Sequence, residues 1–150
     1  MQVIKTFNSR ETEELGVKMA QEFLCINTSK SAIVVALEGE LGAGKTTFLK
    51  GLAKGLGIKK LIQSPTFIIM NRFELKNKQI KNFYHLDCYR IENEKEMDCL
   101  EFDKILQNKE NIVCIEWGSK IKKILPKKRI DIFFEVVTEN ERKIKIKNYA

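Results

Sequence analysis

Gly39, Gly44, Lys45 and Thr46 stand at the spacing Gly-x4-Gly-Lys-Thr within Gly39-Glu-Leu-Gly-Ala-Gly-Lys-Thr46. Residues of these types in this order do one kind of chemistry well: they hold a polyphosphate. Glycines permit a tight loop whose backbone N–H groups turn inward as an anion nest, and a helix starting there adds its positive N-terminal end. The Lys45 ammonium offers a point charge to the β and γ phosphates. The Thr46 hydroxyl is placed to ligate Mg2+, and Thr47 reaches the α phosphate from the first helical turn. Residue frequencies alone would produce such a match in a chain of this size on the order of half a per cent of the time, so the pattern carries weight.

A phosphate site of this kind also needs an acid at the end of a neighbouring strand to fix the cation. Two residues qualify. Glu116 closes the apolar run Ile112-Val-Cys-Ile, and Asp87 follows Phe83-Tyr-His-Leu; Glu116 is favoured for the metal and Asp87 for positioning water. Ser64-Pro-Thr-Phe67 follows the P-loop helix where nucleotide-sensing loops commonly lie, and Thr66 could approach the γ phosphate and Mg2+. Trp117, the one tryptophan, belongs either to the core or to the site.

The elements that must position these residues are readable in outline. Asn8-Ser9 caps a helix carrying Leu15, Met19, Phe23 and Leu24 at helical spacing to about Cys25. Ser31 to Glu38 is an apolar, β-branched run of the kind found in a central parallel strand, and it leads into the phosphate loop. Lys45 to Leu56 places Phe48, Leu49, Leu52, Ala53 and Leu56 on one helical face and closes at Gly57. Strands are expected over 66–73 and 80–86, joined as a hairpin, then a helix over 94–107 and a buried strand over 111–117. A last hairpin pairs 129–136 with 142–147 through Glu139-Asn140. The order α-β-α-β-β-α-β followed by a β hairpin predicts an α/β layout with a mixed sheet, and no linker divides the 150 residues into more than one domain.

Composition removes several alternatives. No apolar run approaches the roughly 20 residues of a membrane helix, and the start Met1-Gln-Val-Ile-Lys-Thr-Phe7 lacks the features of a secretory signal, so a cytoplasmic protein is expected. Cys25, Cys88, Cys99 and Cys114 form no CxxC pair and read mostly as buried thiols, while His85 is the single histidine. Zinc sites built on paired cysteines or imidazoles are therefore excluded, and any metal must use oxygen ligands. Between Gly118 and Ala150 ten Lys or Arg face four Asp or Glu, a local excess of +6. That surface could attract RNA or an acidic partner, yet it lacks the alternation of aromatic and basic residues that stacks on bases. A GTPase is disfavoured because no NKxD is present, only Asn77-Lys-Gln-Ile and Asn108-Lys-Glu-Asn. A small-molecule kinase has little room for a lid between Lys54 and Glu116 and stays a second choice. A nucleotide-gated binding module without essential hydrolysis is the remaining rival.

Taken together, Gly39-Glu-Leu-Gly-Ala-Gly-Lys-Thr-Thr47, Ser64-Pro-Thr-Phe67, His85-Leu-Asp-Cys-Tyr-Arg90 and Glu116-Trp117 resemble the TsaE family of bacterial ATPases, also called YjeE, in order and spacing along nearly the whole chain. Many families share the P-loop; SPTF followed by HxDxYR and a strand-terminal EW is specific to this one. The resemblance implies a P-loop NTPase fold with a mixed, mainly parallel sheet flanked by helices, in a single domain over 1–150. It implies an ATPase that works with TsaB and TsaD in forming N6-threonylcarbamoyladenosine on tRNAs reading ANN codons, with tRNA contacted indirectly or weakly and self-association governed by nucleotide. ATP and Mg2+ are the implied ligands. By the same resemblance Leu41, Gly42, Ala43, Gly44, Lys45 and Thr46 line the phosphates, and Thr46 and Glu116 ligate Mg2+. Asp87 is then a catalytic carboxylate, Thr66 a switch threonine, and Ser9 and Arg142 further nucleotide contacts. One departure stands out: Gly118-Ser119-Lys120 follows Glu116-Trp117 where many relatives carry another acid or a glutamine.

Overall fold

Residues 1–26, 30–60 and 69–149 are described by the computed structural model. Ser64-Pro-Thr-Phe67, Thr66 included, lies outside the described residues. Among the described residues twelve elements follow in order: β1 (Gln2–Thr6), α1 (Ser9–Leu24), β2 (Ile33–Glu38), α2 (Lys45–Gly55), β3 (Met70–Glu74), β4 (Asn82–Asp87), a 3-10 segment (Glu94–Leu100), α3 (Phe102–Gln107), β5 (Asn111–Glu116), a second 3-10 segment (Gly118–Ile124), β6 (Ile130–Val136) and β7 (Arg142–Asn148).

The strands form one seven-stranded sheet in the order β1-β7-β6-β2-β5-β4-β3. Its centre, β6-β2-β5-β4, is parallel, and antiparallel pairings flank it at β3/β4 on one side and at β6/β7 and β7/β1 on the other. Burial follows this plan. Every residue of β5 is buried, and Ile33 to Leu37 of β2 are too, because central parallel strands are covered on both faces. One face packs Val35 and Leu37 against Phe48, Leu49 and Leu52 of α2 and Met19 and Phe23 of α1. The opposite face packs Val34, Val113 and Ile115 against Met97, Phe102, Ile105 and Ile121. No helix among the described residues is long and apolar enough to cross a membrane.

Three expectations differ from what forms. The helix over 94–107 is broken: Glu101 takes a left-handed conformation (φ 52°) between the 3-10 segment and α3. Met97 and Phe102 are five residues apart, off the helical period, and the break lets both enter the core. β1 was not foreseen, because an edge strand with one buried residue, Thr6, shows little pattern. Of the four cysteines only Cys88 and Cys114 are buried; Cys25 and Cys99 are exposed. Burial, then the charges of Asp87 and Glu38, pushes the Cys88 thiol up to about 12, and burial, then the charge of Glu116, raises that of Cys114 as well.

Candidate nucleotide-binding site

The carboxyl ends of β2, β5 and β4 lie side by side, so the parallel register decides what meets there. Leu37 pairs with Glu116 across β2/β5, and Asp87 pairs with Glu116 across β4/β5. Two residues beyond Leu37 the phosphate loop begins, so loop, Glu116 and Asp87 converge at one edge of the sheet. In open α/β sheets that edge is where ligands bind.

The loop itself is shaped by backbone that other residues would strain. Gly44, at φ 107°, is the N-cap of α2 and offers no side-chain cap, which leaves the first-turn N–H groups free for an anion. Gly42 also has positive φ, 79°. Ala43 is buried and its N–H closes the turn onto the Glu40 carbonyl at 3.1 Å. Leu41 is 80% exposed in the loop. Thr46 is exposed and Thr47 half-buried at the start of α2.

Lys45 is buried to 5% exposure, its ammonium donating to the Gly39 carbonyl and lying 4.3 Å from the centroid of the Trp117 ring. A lysine this enclosed is held by oxygen and by an aromatic face together. Trp117 is itself held in an unusual way: it takes φ 58°, ψ 40°, costing about 1–3 kcal/mol for a bulky residue, and this turns the chain directly after Glu116. Its N–H meets the Leu37 carbonyl at 3.3 Å, and its ring contacts Tyr89 at 5.1 Å between centroids. Trp117 is thus a site residue as well as a packing one.

Glu116 is 5% exposed, and its Oε2 lies 2.9 Å from Nε2 of His85, which is 1% exposed. Asp87 is half-buried and its Oδ1 accepts the Tyr89 N–H at 3.0 Å. Arg142 opens β7; its Nη2 donates to the Gly42 carbonyl at 3.2 Å and its Nη1 to the hairpin carbonyls of Thr138, Glu139 and Glu141. The guanidinium therefore pins the loop to the last hairpin. Ser9 is exposed at the first residue of α1, and Thr12, one turn on, is the α1 side chain beside Gly44. Residue types and spacing did not disclose the His85–Glu116 bond, nor that Glu38 accepts the Ser119 N–H at 2.7 Å. Both arise from strand pairing between segments far apart in sequence. Among the described residues no cluster of three or more His, Cys, Asp or Glu could hold a metal by itself. The Thr46 hydroxyl and the Glu116 carboxylate are hard-oxygen donors, the chemistry of the one or two protein ligands that Mg2+ takes alongside phosphate and water.

Loop, helix and strand-end acid on the parallel centre of a mixed sheet define a P-loop α/β protein. More particularly, the family model described as "Threonylcarbamoyl adenosine biosynthesis protein TsaE" matches residues 6–144, and the chain belongs to that family. It is 37% identical over 140 residues to the tRNA threonylcarbamoyladenosine biosynthesis protein TsaE of Bacillus subtilis, covering 93% of this chain and 81% of the relative. The Aquifex aeolicus protein of the same name is 37% identical over 139 residues, with 91% of each covered. Among solved structures, that of Bacillus subtilis YdiB superposes with a TM-score of 0.78 at 30% identity, over 99% of this chain and 86% of that one.

Proposed function

We propose that this chain takes part in tRNA threonylcarbamoyladenosine biosynthesis as an ATPase, binding and hydrolysing Mg-ATP to support a TsaB–TsaD complex that modifies tRNAs reading ANN codons. The observation that carries the reading is the meeting of the Gly39–Thr46 loop with Glu116 and Asp87 at the carboxyl edge of β2, β5 and β4. Family membership supplies the pathway.

Each residue has work suited to its place. The N–H groups of Gly42 to Thr47 bind phosphate oxygens, and Lys45 leaves the Gly39 carbonyl to neutralise the outer phosphates. The Thr46 hydroxyl and the Glu116 carboxylate hold Mg2+, a hard-oxygen pair suited to that ion. When bound, Mg2+ supplies charge neutralisation on the phosphate oxygens. Asp87, the second acid at the edge, orients the attacking water. Thr66 acts as the switch threonine, and Ser9 and Arg142 contact the nucleotide from α1 and the last hairpin. The chain acts as one cytoplasmic domain, self-associates according to bound nucleotide, and meets tRNA indirectly or weakly.

The test is ATP hydrolysis by the purified chain, alone and with its TsaB–TsaD pair and tRNA, for wild type and Lys45→Ala. Weak turnover alone, stimulated by the partners and abolished in the variant, is expected. Rapid turnover indifferent to the partners refutes the reading.

A further inference from the structure

Placing the one histidine of the chain in the interior beside a carboxylate costs free energy that only hydrogen bonding between them offsets. His85 sits on β4 opposite Cys114 of β5, and from there its ring reaches two residues along β5 to Glu116, with Nε2 2.9 Å from Oε2. An ionised carboxylate only accepts, so Nε2 donates. Nδ1 is left buried with no hydrogen-bond partner among the described residues. Buried polar atoms are ordinarily paired, and among the described residues the one hydrogen bond of this ring is the one through Nε2. Between Phe83 and Leu86, both fully buried, a leucine would fill the same space without an orphaned nitrogen. What a leucine could not do is hold Glu116.

We propose that His85 is a positioning residue: it fixes the Glu116 carboxylate through Oε2 and leaves Oε1 for the divalent cation that accompanies the nucleotide. The inference rests on the reading of Glu116 as the metal-binding acid. A strand-end glutamate has several rotamers of similar energy, and only a fixed one presents the same oxygen each time to a cation also bound by Thr46. A hydrogen bond that orients a metal-binding side chain changes metal affinity by about 10- to 100-fold.

The full chain, loaded with a non-hydrolysable ATP analogue, is titrated with Mn2+ and followed by electron paramagnetic resonance, with analogue affinity in EDTA measured in parallel. Wild type is compared with His85→Leu, His85→Gln and Glu116→Gln. His85→Leu is expected to weaken Mn2+ binding about 10- to 100-fold while analogue affinity in EDTA holds. His85→Gln, whose amide nitrogen comes near the place of Nε2, is expected to recover most of the loss. Loss of Mn2+ affinity in Glu116→Gln with none in His85→Leu overturns the proposal alone. Unchanged affinity in Glu116→Gln overturns the metal assignment and the proposal together. Should His85→Leu fail to fold by circular dichroism, His85→Met is the second donor-free variant, judged by the same result.

Discussion

Gly51→Ala should damage both the fold and the site, although alanine is the better helix former. A Cβ built at Gly51 would lie 1.9 Å from the Glu13 carbonyl oxygen and 2.7 Å from the Glu13 carbonyl carbon of α1. The oxygen contact falls about 1.5 Å short of ordinary van der Waals separation. Backbone, not a flexible side chain, is the obstacle, so α1 and α2 must move apart. Gly16, whose Cβ would meet the Phe48 carbonyl oxygen at 2.2 Å, shows that the helices touch backbone to backbone from both sides. Separation loosens Met19 and Phe23 from Phe48, Leu49 and Leu52. Overpacking of this kind costs about 1–3 kcal/mol or more, against a gain of about 0.5–1 kcal/mol from helix propensity. A net loss of about 2 kcal/mol corresponds to a fall in Tm of about 4–8 °C for a chain of this size. Because α2 begins at Lys45, the shift also carries Lys45 and Thr46 away from Glu116. Thermal unfolding by circular dichroism, with titration of a fluorescent ATP analogue, reads both effects; Lys50→Ala, exposed on the same helix, should stay within about 0.5 kcal/mol of wild type. A Gly51→Ala protein as stable as wild type, with unchanged analogue affinity, would refute the reasoning.

Two further outcomes follow from the site and its surroundings. Trp117 is the single tryptophan and carries the Lys45 ammonium 4.3 Å from its ring centroid. Its emission should therefore change when nucleotide draws Lys45 to phosphate, with no such change in Lys45→Met, and a flat wild-type titration at saturating ADP would refute this. At pH 8 iodoacetamide should modify Cys25 and Cys99 alone, because Cys88 is pushed up to about 12 and Cys114 is fully buried. The thiolate form of Cys88 gains ground only as pH approaches that value, so native labelling of Cys88 or Cys114 near neutrality, read by peptide mass spectrometry, would contradict the burial described.

The parts of the molecule legible from sequence are those whose local pattern and three-dimensional role coincide. β2 and β5 are buried on both faces, so their apolar runs speak for themselves, and each ends in the residue the site needs, the phosphate loop for one and Glu116 for the other. The hairpins β3/β4 and β6/β7 were equally readable because their partners are near in sequence. β1 was not: its partner is β7, with Gln2 opposite Ile146, and no local signal links residues so far apart. The same holds for His85 and Glu116, 31 residues apart, whose contact exists only because β4 and β5 align in parallel with Asp87 opposite Glu116. The segment Gly118–Ile124 buries only Gly118 and Ile121, too few to show a period.

Strain at Trp117 ties these strands into one working unit. The Trp117 N–H continues the β5 ladder onto the Leu37 carbonyl, and by turning left-handed there Trp117 brings the Ser119 N–H to Glu38; Leu37 and Glu38 are the last two residues before the phosphate loop. The end of β5 is thereby stitched to the end of β2, so the carboxylate of Glu116 and the first residue of the loop cannot move independently. On the far side Arg142 binds the Gly42 carbonyl to the last hairpin. The loop is thus fixed at its start by the turn that follows the acid and at its crest by β7. Residues as different as Trp117 and Arg142 serve one requirement, that the N–H groups of the loop and the Glu116 carboxylate keep their separation whether or not Lys45 is engaged. An extended conformation at Trp117 would spare about 1–3 kcal/mol of backbone strain, but it would carry the Ser119 N–H away from Glu38 and undo that link between the ends of β5 and β2.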